Sequence, residues 1–141
     1  DAVIDLDVTA PIRTVDDVSN CINLFITKNL FSPIDVLFSV VKSRKNPYFN
    51  MVEEQSNGFV KLSKRPKVPY LRRQDAPKVY DMNTSIYIYS RKFLLNPKNT
   101  SVFSTSKTAI YVMDSISAID IDSPLDFKYI EFLIKSGVVK L

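Results

Sequence analysis

The chain opens on a run of apolar positions, Ala2-Val3-Ile4-Asp5-Leu6, that stops at Thr9-Ala10-Pro11. Such a run closed by a proline predicts a buried strand that ends in a loop. From Thr14 the period changes. Val15, Val18, Ile22, Phe25 and Ile26 recur at helical spacing, and Thr14 with Asp17 has the form of a capping box, a hydroxyl and an acid that satisfy orphan amides. A helix to about Asn29 is predicted. Asp35 to Val41 is β-branched and nearly continuous, the pattern of a strand covered on both faces. Strand, helix and strand within about forty residues predict a βαβ unit and a parallel sheet.

The middle of the chain breaks this rhythm. Phe49 to Glu53 and Phe59 to Leu62 flank Gln55-Ser56-Asn57-Gly58, which predicts a hairpin with Asn57-Gly58 in its turn. A basic stretch with Pro66, Pro69 and Pro77 follows, too rich in proline for a helix. Residues 46–80 therefore read as an excursion from an α/β core. Ser85 to Tyr89 alternates as a strand does, Phe93 to Asn96 makes one helical turn, and Ala109 to Met113 is a further strand. Ser123 caps a last helix, with Pro124 at its first position and Asp126 three residues after the cap. Leu125, Tyr129, Phe132 and Leu133 form its apolar stripe. The expectation is one domain over residues 1–141: an α/β fold whose sheet is mostly parallel.

Composition removes several chemistries. The chain has 2 glycines, where an average chain of this length has roughly 10, so no Walker A loop or dinucleotide fingerprint can be built. With no histidine there is no Ser-His or Cys-His dyad and no histidine-ligated metal. One thiol, Cys21, excludes an internal disulfide and fits a reducing compartment. No apolar run approaches the ~18 residues of a membrane span and no signal-peptide pattern is present, so a soluble, cytoplasmic chain with no membrane partner is expected. The net charge of +4 is locally concentrated: Lys61, Lys64, Arg65, Lys67, Arg72 and Arg73 put six cations within thirteen residues. That stretch suits a polyanion, nucleic acid included, or is simply a solvated basic loop.

Candidate chemistry is carried by few residues. Asp120 and Asp122 lie two apart in an extended segment, so their carboxylates share one face while Ile121 points the other way. Two such carboxylates suit Mg²⁺, a hard ion that wants oxygen ligands and tolerates phosphate; alternatively they are acids beside a helix N-terminus, where negative charge is favoured anyway. Asp5 and Asp7 form a second pair at a strand end, where α/β sites gather, unless Asp7 simply initiates the turn. Arg72-Arg73 offers a guanidinium that can grip carboxylate or phosphate bidentately, or is an exposed basic pair. Asn83 and Tyr87 lie four apart on one strand, so both can face one pocket; otherwise Tyr87 is a half-buried strand tyrosine. Cys21 lies beside the apolar stripe of the first helix and reads as a core thiol.

Four blocks in order resemble the acylneuraminate cytidylyltransferase family. Asp7-Val8-Thr9-Ala10-Pro11-Ile12-Arg13 is similar to its Q-P-T-S-P-L-R segment. Arg72-Arg73-Gln74-Asp75-Ala76-Pro77 resembles R-R-Q-x-x-P, and Asn83-Thr84-Ser85-Ile86-Tyr87 resembles N-G-x-I-Y. Ser117-Ala118-Ile119-Asp120-Ile121-Asp122 with Asp126-Phe127 resembles S-I-D-I-D-x-x-x-D-F. The resemblance implies a Rossmann-like, nucleotide-diphospho-sugar transferase-like fold and transfer of CMP from CTP to a nine-carbon α-keto acid sugar, releasing pyrophosphate. It implies Mg²⁺ on Asp120 and Asp122, with Asp122 and Arg73 catalytic. Asp7, Arg73, Asn83 and Tyr87 would meet the sugar, and Phe103 would wall its acyl group. It also implies a homodimer, built through the 46–80 hairpin excursion, that passes Arg73 into the partner's site.

Two departures stand out. Asp7 occupies the place of the family's glutamine, and a carboxylate accepts but cannot donate; a sugar with extra N–H donors, of the legionaminic or pseudaminic kind, is implied. The family's glycine- and lysine-rich triphosphate loop has no counterpart, so the resemblance covers the family's C-terminal two-thirds, and the chain by itself is expected to be inactive. A nucleic-acid-binding module acting through residues 61–73, and an inactive dimer-forming remnant, are the competing expectations.

Overall fold

A computed structural model describes residues 1–140. Its elements run β1 (Ala2–Leu6), α1 (Val15–Phe31), β2 (Val36–Lys42), β3 (Val52–Glu54), β4 (Val60–Leu62), β5 (Tyr80–Ser90), α2 (Arg91–Leu94), β6 (Thr108–Met113) and α3 (Pro124–Lys135). Short 3-10 turns lie at Arg73–Asp75 and Ser115–Ala118. They form two compact units, residues 1–41 with 82–140 and residues 42–81.

In the first unit both capping boxes form. Thr14 takes the Asp17 amide while the Asp17 carboxylate takes the Thr14 amide, and Ser123 and Asp126 repeat the exchange at α3. The sheet order is β1-β5-β2-β6. β1 pairs antiparallel with β5, Ala2 opposite Ser90 and Leu6 opposite Ile86. The Ser90 amide reaches the Asp35 carbonyl and the Ile86 amide the Ser39 hydroxyl, so β5 descends as β2 ascends. Among the described residues, β2 and β6 pair in parallel. The expectation of a mostly parallel sheet is therefore corrected: the first two strands do point the same way, but β5 lies between them in the opposite direction. Adjacency along the sequence, on which that expectation rested, holds for only about two-thirds of sequential strands.

β2 is buried along Val36 to Val41, and α1 packs Cys21 and Phe25 onto Leu37, Val41, Ile86, Ile88 and Met113. A second cluster joins Ile12 to Ile130, Leu133 and Val139. Two expectations about burial fail. All five residues of β1 are exposed, because among the described residues β1 lies at the sheet's edge with β5 as its neighbour. α3 buries Ile130 and Leu133, while Leu125, Tyr129 and Phe132 face solvent, so the apolar stripe is offset from the one the spacing suggested.

The second unit holds the β3–β4 hairpin, Val52 opposite Leu62. Its turn closes with the Gly58 amide on the Gln55 carbonyl at 2.9 Å, and Gly58 takes the left-handed φ of 79° that favours Asn-Gly there. Tyr48 meets Tyr70 edge to face, centroids 5.4 Å apart. The unit carries ten Lys and Arg against four Asp and Glu, net +6, whereas the rest of the chain has nine against eleven, net −2.

Candidate functional site

Because β1, β2 and β6 share a direction, their carboxyl ends lie at one end of the sheet, the end at which open α/β sheets carry ligands. Two loops meet there. The loop after β1 is shaped by Asp7, whose Oδ1 accepts the Thr9 amide and the Thr9 hydroxyl, each at 2.8 Å. These bonds, the backbone one first, hold the Asp7 carboxyl below its ordinary value, with Arg13 assisting. Arg13 Nη1 pins the same loop by donating to the Asp7 carbonyl at 2.6 Å and the Ala10 carbonyl at 2.8 Å. The second loop leaves the 3-10 turn at Ser115–Ala118 and carries Asp120 and Asp122 to the start of α3. The Ile121 amide donates to the Thr9 carbonyl at 2.8 Å and joins the two loops.

Ile121 packs toward the Ile12–Ile130 cluster while Asp120 and Asp122 are exposed. Among the described residues neither carboxylate accepts a protein hydrogen bond, and no three acidic or thiol side chains gather as a metal cluster. Two carboxylates are nonetheless what Mg²⁺ takes from a protein when water and phosphate complete its shell, so the donor set fits that ion in that mode.

Asn83 and Tyr87 turn to different faces of the sheet. Asn83 bonds Ser39, whereas Tyr87 lies 6.0 Å from the ring of Phe38, the neighbour of Ser39 on β2. Thr84 has φ of 51°, a left-handed residue that shifts the alternation of β5 by one step. On the Tyr87 face, Asp5 stands directly opposite Tyr87, and Phe103 meets Phe38 edge to face at 6.0 Å. Burial first, and then Asp7 and Asp5, push the Tyr87 hydroxyl up. Phe103 is exposed. Arg73 belongs to the unit of residues 42–81, where its guanidinium donates to the Arg44 carbonyl, while Arg72 forms a two-point pair with Asp75. Cys21 is buried, and burial followed by Asp17 pushes its thiol up to about 12, which removes it as a nucleophile.

Sequence reasoning missed Arg13, Ser39 and Ser117. A lone serine inside Val36-Leu37-Phe38-Ser39-Val40-Val41 is itself a signal, since a hydroxyl in a covered strand must find a partner.

No family model matches the chain. Individual proteins do. The chain is 44% identical over 135 residues to post-translational flagellin modification protein B of Campylobacter coli, covering 96% of this chain and 53% of that protein. It is 52% identical over 98 residues to CMP-N,N'-diacetyllegionaminic acid synthase of Campylobacter jejuni subsp. jejuni serotype O:2, covering 70% of this chain and 39% of that protein. By its name, the second of these relatives makes a CMP-activated sugar. Over the matched residues the chain belongs to the legionaminic-type cytidylyltransferase family. It spans about half the length, or less, of the curated relatives it matches.

Proposed function

We propose that this chain forms part of a cytidylyltransferase that joins CMP, taken from CTP, to the anomeric hydroxyl of a legionaminic-type nonulosonic acid, with pyrophosphate as the other product. The observation that carries this reading is the pair of loops held together by Ile121 and Thr9, which sets Asp120 and Asp122 beside the Asp7 turn. Identity to the C. jejuni synthase supports the choice of nucleotide sugar. The common direction of β1, β2 and β6 supports a Rossmann-like plan with its ligand at their carboxyl ends.

In this reading Asp120 and Asp122 hold Mg²⁺, which when bound neutralises phosphate charge. The chain's own residues do the rest. Asp7 offers its second carboxylate oxygen to an N–H of the sugar's amino-derived substituents, a contact that a donor-poor sugar would lack. Tyr87, Phe38 and Phe103 form an aromatic wall suited to an acyl group. Arg73 grips the sugar carboxylate or a phosphate through its planar fork, supplied from the 42–81 unit of a second copy in a homodimer. With 2 glycines and no glycine-rich phosphate loop, this stretch supplies no triphosphate cradle. The cytoplasm, where CTP is made, is the proposed location, and no helix among the described residues is long and apolar enough to cross a membrane.

The test is to incubate the full-length protein with CTP, Mg²⁺ and either N,N'-diacetyllegionaminic acid or N-acetylneuraminic acid, and to measure CMP-sugar and pyrophosphate. CMP-sugar formed faster with the legionaminic substrate supports the reading. No CMP-sugar with either acid, together with polynucleotide binding that weakens steeply with salt, replaces it by the basic binding module.

A further inference from the structure

Asp120 and Asp122 owe their placement to backbone, since among the described residues no side-chain hydrogen bond or ion pair holds either carboxylate. That backbone is anchored at two points. One is the Ile121 amide on Thr9. The other is buried.

Ser39, Asn83 and Ser117 are all buried polar residues, each at most 6% exposed. The Ile86 amide donates to Ser39 Oγ at 2.9 Å, and Ser39 Oγ donates to Asn83 Oδ1 at 2.7 Å. Asn83 Nδ2 donates to the Ser117 carbonyl at 3.0 Å and lies 3.3 Å from Met113 Sδ. The orientation of the amide is forced. Turned over, it would set its oxygen against the Ser117 carbonyl and leave the Ser39 hydroxyl without this acceptor. Every group in the relay is satisfied, and no buried side-chain polar atom among the described residues lacks a partner. Ser117 closes toward the segment that reaches Asp120 three residues later. Asn83 thus ties the central strands to the turn from which the acidic loop departs.

We propose that Asn83 is a positioning residue, whose carboxamide fixes the start of the 117–122 segment and through it the placement of the Asp120 and Asp122 carboxylates. This rests on the reading of those carboxylates given above. Asn83 touches neither sugar nor ion; it acts through Ser117. Ser39 belongs to the same relay but does not contact the turn, so it serves as a structural control.

The full-length protein is compared as wild type, Asn83→Ser and Ser39→Ala. Partners that orient ligating carboxylates typically govern metal affinity or activity by about 10–100-fold. Asn83→Ser, too short to reach the Ser117 carbonyl, should raise the Mg²⁺ concentration for half-maximal CMP-sugar formation about tenfold or more. It should also speed hydrogen exchange at the Ile121 amide about tenfold relative to the Leu37 and Ile88 amides. Ser39→Ala should lower Tm at least as much, yet leave Mg²⁺ dependence and relative Ile121 exchange near wild type. Equal effects of both variants on the Mg²⁺ dependence, or an unchanged Ile121 exchange in Asn83→Ser, overturn the proposal. If the wild type forms no CMP-sugar, the reading of the site fails, and the Ile121 exchange alone decides whether Asn83 positions this loop.

Discussion

Asp126 accepts the backbone amide of Asp122 at 3.2 Å, so that two acids four residues apart divide the work of one loop. Asp126 also takes the Ser123 amide and hydroxyl, each at 2.7 Å, and is the structural acid. Asp122 gives only its amide and keeps its carboxylate toward solvent. Asp122→Asn should therefore leave Tm within about 2 °C of wild type, since exposed changes away from such contacts are small. It should cut CMP-sugar turnover of the full-length protein by about 10²-fold, the cost of a lost preorganised electrostatic contact. Normal turnover with a lowered Tm would leave the pair as plain helix-terminus acids.

Acid should attack the same cap. The Ser123 hydroxyl first, and then the Ser123 and Asp122 amides, hold the Asp126 carboxyl below its ordinary 3.8 in the folded chain. A carboxyl depressed on folding contributes stability that is complete above the unfolded value and is lost as pH falls through the folded one. Tm measured from about pH 5 down to about pH 2 should fall more steeply in wild type than in Asp126→Asn, which starts lower and has no such carboxyl to protonate. Parallel slopes would assign the acid sensitivity to other groups.

Thr84 is a β-branched residue held at φ 51°, where only glycine is at ease. Holding such a residue left-handed costs of order 1–3 kcal/mol, offset in part by the freedom a glycine adds to the unfolded chain. Thr84→Gly should thus stabilise the protein by about 1 kcal/mol, a rise in Tm of a few degrees. A glycine variant that melts below wild type would mean that Thr84 is not strained.

Arg73 is tested by a substitution that keeps the charge. Arg73→Lys loses the planar fork, and a bidentate contact to an anion should lose more than about tenfold in kcat/KM for the sugar. An unchanged kcat/KM would return Arg73 to the role of a surface cation bonded to Arg44.

Phe59 and Leu71 stand 73% and 93% exposed in the 42–81 unit, which is apolar surface that the proposed second copy would cover. The full-length protein should sediment as a dimer, and Phe59→Asp with Leu71→Asp should shift it toward monomer. A wild type that stays monomeric at high concentration would remove the proposed partner-borne Arg73.

Much of this was readable in the sequence. Both capping boxes, the Asn57-Gly58 turn and the buried run Val36 to Val41 are local devices, written within four to eight neighbouring residues. The neighbour of β1 was not readable, because Ala2 pairs with Ser90 across most of the chain and no local pattern records that choice. The opposite facing of Asn83 and Tyr87 was hidden for a different reason. Counting by twos assumes an unbroken strand, and the left-handed Thr84 breaks it with a residue that announces no such turn. Asp120 and Asp122 share the exposed side of their segment as alternation suggests, but the anchor behind them, Asn83 on the Ser117 carbonyl, joins residues 34 apart.

The placement of β5 between β1 and β2 sets an order of events during synthesis. β1 leaves the ribosome well before β5, whose partner residues 86–90 emerge eighty or more residues later. At translation rates of about 5–20 residues per second, β1 waits roughly 4–16 s for them. The β3–β4 hairpin, closed by near neighbours, can form during that interval. The central sheet is therefore joined late and in order: β5 first makes β1 and β2 parts of a single layer, and β6 then adds beside β2.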